Sequence, residues 1–185
     1  MIAGFKHAAT EPQYEWMRAF FADRGYTVHV PEIDWNNKVM SDYVRQFSEY
    51  FGQHKSDTNH VLGFSFGAMI ALITAPELKP DRLLLCSLSP YFSEDLGTLK
   101  PSWEKVLGHR RLSDFENFKA KALARQVAAP TTIIYGSHEA KLYPQLKKRC
   151  EETAGIITGS KLLVAENAPH EIDFPTYVDV IKSEF

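Results

Sequence analysis

The chain alternates short apolar runs with longer stretches in which apolar residues return every three or four positions. The runs are Ile2 to Gly4, Thr27 to Pro31, His60 to Gly63, Arg82 to Ser87, Thr131 to Tyr135 and Lys161 to Ala165. Several are apolar throughout rather than at alternate positions, which fits strands covered on both faces. The helical stretches lie between them. Tyr14, Met17, Phe20 and Phe21 mark one face of the first, with Thr10 and Gln13 spaced as a capping box and Gly25 as its stop. Ser41 can cap a second helix carrying Tyr43, Val44, Phe47 and Tyr50 and ending at Gly52, and a third starts after Ser65 and stops before Pro76. Ser113 and Glu116 form a further capping box ahead of Phe118 and Ala122, and Pro144 to Glu152 and Pro175 to the C-terminus complete the set. This rhythm predicts parallel strands joined by crossover helices. The one irregular region is Ser89 to Leu112.

Composition narrows the class. With 185 residues, 44% of them hydrophobic and 24% charged, the chain reads as one globular domain spanning residues 1 to 185. Twenty-one Lys and Arg against 23 Asp and Glu leave a formal charge of -2, so nothing global points to nucleic acid or to an acidic membrane. Cys86 and Cys150 have no framework spacing, and the start of the chain has no basic segment followed by a long apolar one. The expectation is a reduced, cytoplasmic protein without membrane insertion.

Gly63-Phe-Ser65-Phe-Gly67 matches G-x-S-x-G. At ordinary Gly and Ser frequencies of roughly 7% each, chance produces the pattern in about one chain in twenty of this length. Its setting raises its weight: an apolar run enters the motif and a helical stretch leaves it, giving strand, sharp turn and helix with the serine hydroxyl exposed at the turn. A serine becomes a nucleophile when a base takes its proton and a carboxylate fixes the tautomer of that base. In an open parallel sheet such groups gather beyond the carboxyl ends of strands. Two loops qualify, Gly136-Ser-His-Glu139 after the fifth run and Glu166-Asn-Ala-Pro-His170 after the sixth.

With these residues in this order, the chain resembles a small member of the alpha/beta-hydrolase superfamily. The resemblance implies a three-layer, doubly wound sandwich around a mainly parallel six-stranded sheet in the order 2-1-3-4-5-6, with at most a small cap within residues 90 to 126. Carried over by position, it implies Ser65 as nucleophile, Glu139 as acid and His170 as base. It also implies an oxyanion hole from the amides of Phe66 and of Phe5, with Lys6 the alternative to Phe5. Ala3 replaces a histidine common in the family's first loop, and Ala68 stands where many relatives have a further glycine.

The other candidates weigh less. His29 and His60 belong to predicted strands, His54 follows a helix end, and His7, His109 and His138 lack the position after the last strand. Glu94, Asp95, Glu171 and Asp173 are alternative acids, although an acid adjacent to the base seldom folds back onto its ring. No zinc, EF-hand, dinucleotide or P-loop motif occurs, so no metal and no cofactor are expected. Lys100 to Gln126 carries seven Lys or Arg against three acids, a solvated helix face or a set of cations for an anionic substrate tail. Phe5, Phe64, Phe66, Tyr91, Phe92 and Trp103 are candidate pocket walls. The expected activity is that of a serine hydrolase cleaving an ester or thioester of a small acyl substrate through an acyl-enzyme. A binding protein with a degenerate pocket, or an acyltransferase or peptidase using the same groups, are the alternatives.

Overall fold

A computed structural model describes residues 1 to 185. Four strands, β1 (His60–Phe64), β2 (Arg82–Cys86), β3 (Thr131–Gly136) and β4 (Lys161–Ala165), form one sheet in the order β1-β2-β3-β4, every pairing parallel. Parallel neighbours require crossovers, and helices supply them. In chain order they are α1 (Glu15–Ala22), α2 (Met40–His54), α3 (Phe66–Leu78), α4 (Pro101–Leu107), α5 (His109–Phe115), α6 (Ala120–Ala124), α7 (Ser137–Leu142), α8 (Pro144–Ile156) and α9 (Pro175–Lys182).

The continuous apolar runs explain the layering. Val61, Leu83, Leu85, Ile133 and Tyr135 face a core shared with α2, α3, α6 and α8, whereas Leu62, Phe64, Leu84, Cys86 and Ile134 face a second core with α1 and α9. β1, β2 and β3 thus bury both sets of side chains, whereas β4 is partly exposed, and a side chain such as Leu84 or Ile133, with no exposed surface, contributes about 2 to 3 kcal/mol. No helix is long and apolar enough to cross a membrane. Cys86 and Cys150 are buried, unpaired thiols, and burial raises the pKa of both.

The expected six-stranded sheet in the order 2-1-3-4-5-6 is not formed; four strands make the sheet. The last four apolar runs form strands, and the first two do not. Ile2 makes a single parallel bridge to Gly63, because the backbone turns away immediately afterwards, with His7 N–H bonded to Gly4 C=O and Lys6 at φ 63°. Thr27 to Pro31 forms no backbone ladder; its one backbone bond to the first run is Met1 N to His29 O at 2.8 Å, and His29 packs on Tyr50 and His54.

Local polar chemistry also departs from the spacing rules. The Thr10 box is replaced by Glu11, which accepts the Ala8 amide, and α1 begins after a 3-10 turn at Pro12–Tyr14. Asp42 rather than Ser41 receives the Val39 amide at the start of α2, and Ser41 bonds Asp114 instead. Ser113 and Glu116 lie at the end of α5, not the start of a helix, and α3 runs through Pro76 to Leu78.

Candidate active site

The turn between β1 and α3 holds Ser65 at φ 58°, ψ -117°, a conformation that costs a non-glycine residue about 1 to 3 kcal/mol. Two glycines make the turn possible by close approach. A Cβ on Gly63 would strike the backbone of Gly67 and Ala68, and one on Gly67 would strike the carbonyls of Ile2 and Ala3. The strain points the hydroxyl outward, past the carboxyl end of the sheet. Ser65 Oγ lies 3.1 Å from His170 Nε2 and 3.2 Å from Ser89 Oγ.

Gly136 ends β3 with no room for a side chain, since a Cβ would meet the Ala168 carbonyl; the same carbonyl accepts the Glu139 amide at 3.1 Å. This contact clamps the loops after β3 and β4 together and sets Glu139 under His170. Glu139 is fully buried, and its Oε1 is bonded to His170 Nδ1. Its Oε2 accepts the Gly136 amide at 3.0 Å and the Ser87 hydroxyl at 2.9 Å. An ionised carboxylate only accepts, so the imidazole proton belongs on Nδ1 and leaves Nε2 free to accept from Ser65. The ring of His170 rests on Phe64, centroids 4.8 Å apart, and its side chain is 37% exposed.

Behind the carboxylate, Tyr177 of α9 places its phenol 2.9 Å from Ser87 Oγ and donates to the Ile134 carbonyl at 3.0 Å. Burial raises the pKa of that phenol well above its usual value. The sequence pattern alone does not mark Ser87, Ser89 or Tyr177 as part of the site. The available signal was position: Ser87-Leu-Ser89 directly follows β2, whose carboxyl end lies between those of β1 and β3.

A cavity of about 410 Å³ opens above Ser65. Phe5, Phe64, Phe66, Tyr91 and Trp103 line it; Phe92 does not, being fully buried beneath the Arg149 guanidinium. The first amide of a helix has no intrahelical acceptor, which leaves Phe66 N–H available beside Ser65. Phe5 lines the cavity and stacks on Phe66 at 4.8 Å, whereas Lys6 lies outside it. The Phe5 loop is tied down by Gly4 N–H donating to the Tyr14 hydroxyl at 3.1 Å and by Trp35 Nε1 donating to His7 O at 3.1 Å. Burial pushes the Tyr14 phenol up to about 12.

The alternative residues lie elsewhere or in other bonds. Glu94 accepts the amides at the start of α6, and Asp95 takes the buried Arg149 at 2.5 and 3.0 Å. His7 lines the cavity but is bonded to Glu11 and Gln13. Glu171 and Asp173 stand at the cavity mouth. Of the basic stretch, only Lys100 reaches the cavity; Arg111 turns inward to Tyr43 and the Trp35 carbonyl, and Lys121 pairs with Glu152. No group of three or more His, Cys, Asp or Glu side chains is placed to hold a metal ion.

This four-stranded parallel sheet, with a strained serine turn after one strand and an acid and a histidine after the last two, is an alpha/beta-hydrolase fold. Solved structures align over nearly all of it. Est1E of Butyrivibrio proteoclasticus, solved with ferulic acid bound, matches with a TM-score of 0.74 at 12% identity, over 99% of this chain and 84% of that one. The esterase Pf2001 of Pyrococcus furiosus matches with 0.70 at 15%, over 99% and 77%. MenH of S. aureus matches with 0.66 at 14%, over 100% and 89%. No family model and no curated protein matches the sequence.

Proposed function

We propose that this protein is a serine hydrolase acting on a carboxylic ester or thioester of a small molecule. The observation that carries the reading is the chain of hydrogen bonds from Ser65 Oγ through His170 to the buried Glu139, at the floor of a cavity of a size that suits a small ligand. A separation beyond about 4 Å between Ser65 and His170 would favour binding without turnover; the 3.1 Å contact supports catalysis instead.

In the first step Ser65 Oγ attacks the acyl carbon while its proton passes to His170 Nε2, and Glu139 balances the charge that appears on the imidazole. The carbonyl oxygen gains the electron pair and is held by the Phe5 and Phe66 amides, each worth about 3 kcal/mol to the transition state. The intermediate collapses as His170 returns the proton to the departing alkoxide or thiolate. Water then yields a proton to His170 and attacks the acyl-serine, releasing the acid and restoring Ser65. The aromatic wall of Phe5, Phe66, Tyr91 and Trp103 suits an apolar acyl group.

A panel of p-nitrophenyl esters, acyl thioesters and aminoacyl amides, run beside Ser65→Ala, tests the reading. Ester or thioester turnover abolished by that substitution is the expected result. Turnover confined to amides, acyl transfer to added alcohol in place of hydrolysis, or no turnover that depends on Ser65 would overturn it.

A further inference from the structure

The cavity above Ser65 has two halves of opposite character, divided by the aromatic residues on either side of the serine. Phe66 belongs to the core shared with α3, and with Phe5, Tyr91 and Trp103 it forms an aromatic half. Phe64 belongs to the core shared with α1 and α9. The rings of His170 and Tyr14 both pack on it, and Gln13, Glu171 and Asp173 complete a polar half. His170 Nε2 is the group that returns a proton to the departing oxygen. The alcohol portion of an ester therefore lies over the polar half and the acyl portion over the aromatic one.

Tyr14 is the residue of the polar half whose hydrogen bonding is incomplete. It lines the cavity although only 2% of its surface is exposed. The phenol oxygen accepts the Gly4 amide at 3.1 Å, and its own proton has no acceptor in the protein. A buried polar group left unpaired costs about 1 to 3 kcal/mol, which a ligand acceptor would restore. Burial lifts the pKa to about 12, so the proton stays on the oxygen at neutral pH. The phenol also stands next to the reaction. A Cβ on Gly4 would lie 3.5 Å from Ser65 Cβ and 3.7 Å from the Tyr14 hydroxyl, so nucleophile and phenol border one small space that the glycine keeps open. At the mouth of the same half, the carboxylates of Glu171 and Asp173 make no hydrogen bond and no ion pair within the protein.

We propose that the alcohol released by this protein is a polyol, and that Tyr14 selects it by donating a hydrogen bond to a hydroxyl near the ester oxygen. The proposal rests on the serine-hydrolase reading and narrows its substrate. A polyol hydroxyl both accepts and donates, so one ligand can take the Tyr14 proton and give protons to Glu171 and Asp173. An ammonium group would suit the carboxylates and offer Tyr14 no acceptor. A phosphate would accept from Tyr14 and face two carboxylates of its own sign. An alkyl alcohol would leave all three groups unpaired.

The test compares glycerol 1-monobutyrate with propyl butyrate, the same carbon skeleton without the two hydroxyls, by pH-stat on the full chain with Ser65→Ala as the blank. The parent protein should favour the glycerol ester by about tenfold or more in kcat/KM, and Tyr14→Phe should bring that ratio to about twofold or less. The substitution also deprives the Gly4 amide of its acceptor. Both esters deliver the same acyl group to the same oxyanion donors, so this disturbance cancels in the ratio. A parent ratio below about threefold, a ratio that survives Tyr14→Phe, or butyrylcholine turned over faster than the glycerol ester would overturn the proposal and leave the hydrolase reading standing. Absence of Ser65-dependent turnover of all three esters and of the wider panel would overturn the hydrolase reading itself, and the proposal with it.

Discussion

The Glu139→Gln variant separates the role of the buried charge from that of the shape around it. Glu139 Oε2 accepts from two donors, the Gly136 amide and the Ser87 hydroxyl. In the variant the amide oxygen must occupy that place, because an NH2 group there would face two donors. The NH2 then points at His170 Nδ1, which can meet it only as an acceptor. The imidazole proton is forced onto Nε2, and the Ser65 hydroxyl loses the base that should receive its proton. Such a tautomer inversion costs serine hydrolases up to about 10⁴ in turnover, so a fall of about 10³ to 10⁴ in kcat is expected, or roughly 4 to 5.5 kcal/mol of transition-state stabilisation. All the hydrogen bonds around the side chain can persist, so Tm should move by only a few degrees. Steady-state kinetics on the best ester of the panel, with a thermal melt of the same preparation, measures both. Turnover within tenfold of the parent protein, in a background where Ser65→Ala is inactive, would refute the reasoning.

Other outcomes follow from the packing and the titrating groups. Gly67→Ala places a Cβ against the Ile2 and Ala3 carbonyls and should cost about 1 to 3 kcal/mol or more in urea unfolding; a loss below half a kcal/mol would contradict the close packing. Arg149→Met leaves Asp95 buried without its cation and should cost about 3 to 5 kcal/mol, whereas the double variant with Asp95→Asn should recover part of the loss. Burial lowers the pKa of His29 and His60 below the usual 6.5. The unfolded chain then binds more protons just below pH 6.5, so stability is full above that pH and declines as the pH falls through it. His60→Phe should flatten the decline in Tm between pH 7 and 5; an unchanged slope would count against it.

The convergence of the three candidate side chains was legible because their types and order carry the information. The strand-turn-helix context of Gly63-Phe-Ser65-Phe-Gly67, and two polar loops directly after apolar runs, place Ser65, Glu139 and His170 on one rim of any parallel sheet that these runs form. The count of strands was not legible, since Ile2 to Gly4 and Thr27 to Pro31 have strand composition and lack partners along their length. Pairing is a property of two segments, and neither segment alone reveals it. Helix starts failed for a related reason. Thr10 and Ser41 have the right side chains for caps, but Glu11 and Asp42, each one residue on, and Asp114, more than seventy residues from Ser41, take the bonds, and the amides at the start of the helix after Ser113 go to Glu94. The supports of the acid, Ser87 and Tyr177, come from elements distant in sequence and could be found only once the strands were laid side by side.

The most direct measurement is intact-protein mass after exposure to a fluorophosphonate, followed by peptide mapping. A single adduct on Ser65, formed stoichiometrically and absent from Ser65→Ala and strongly slowed in His170→Ala, is the expected result. Folded parent protein that takes up no label, or takes it up on another residue, would contradict the assignment of Ser65 as an activated nucleophile.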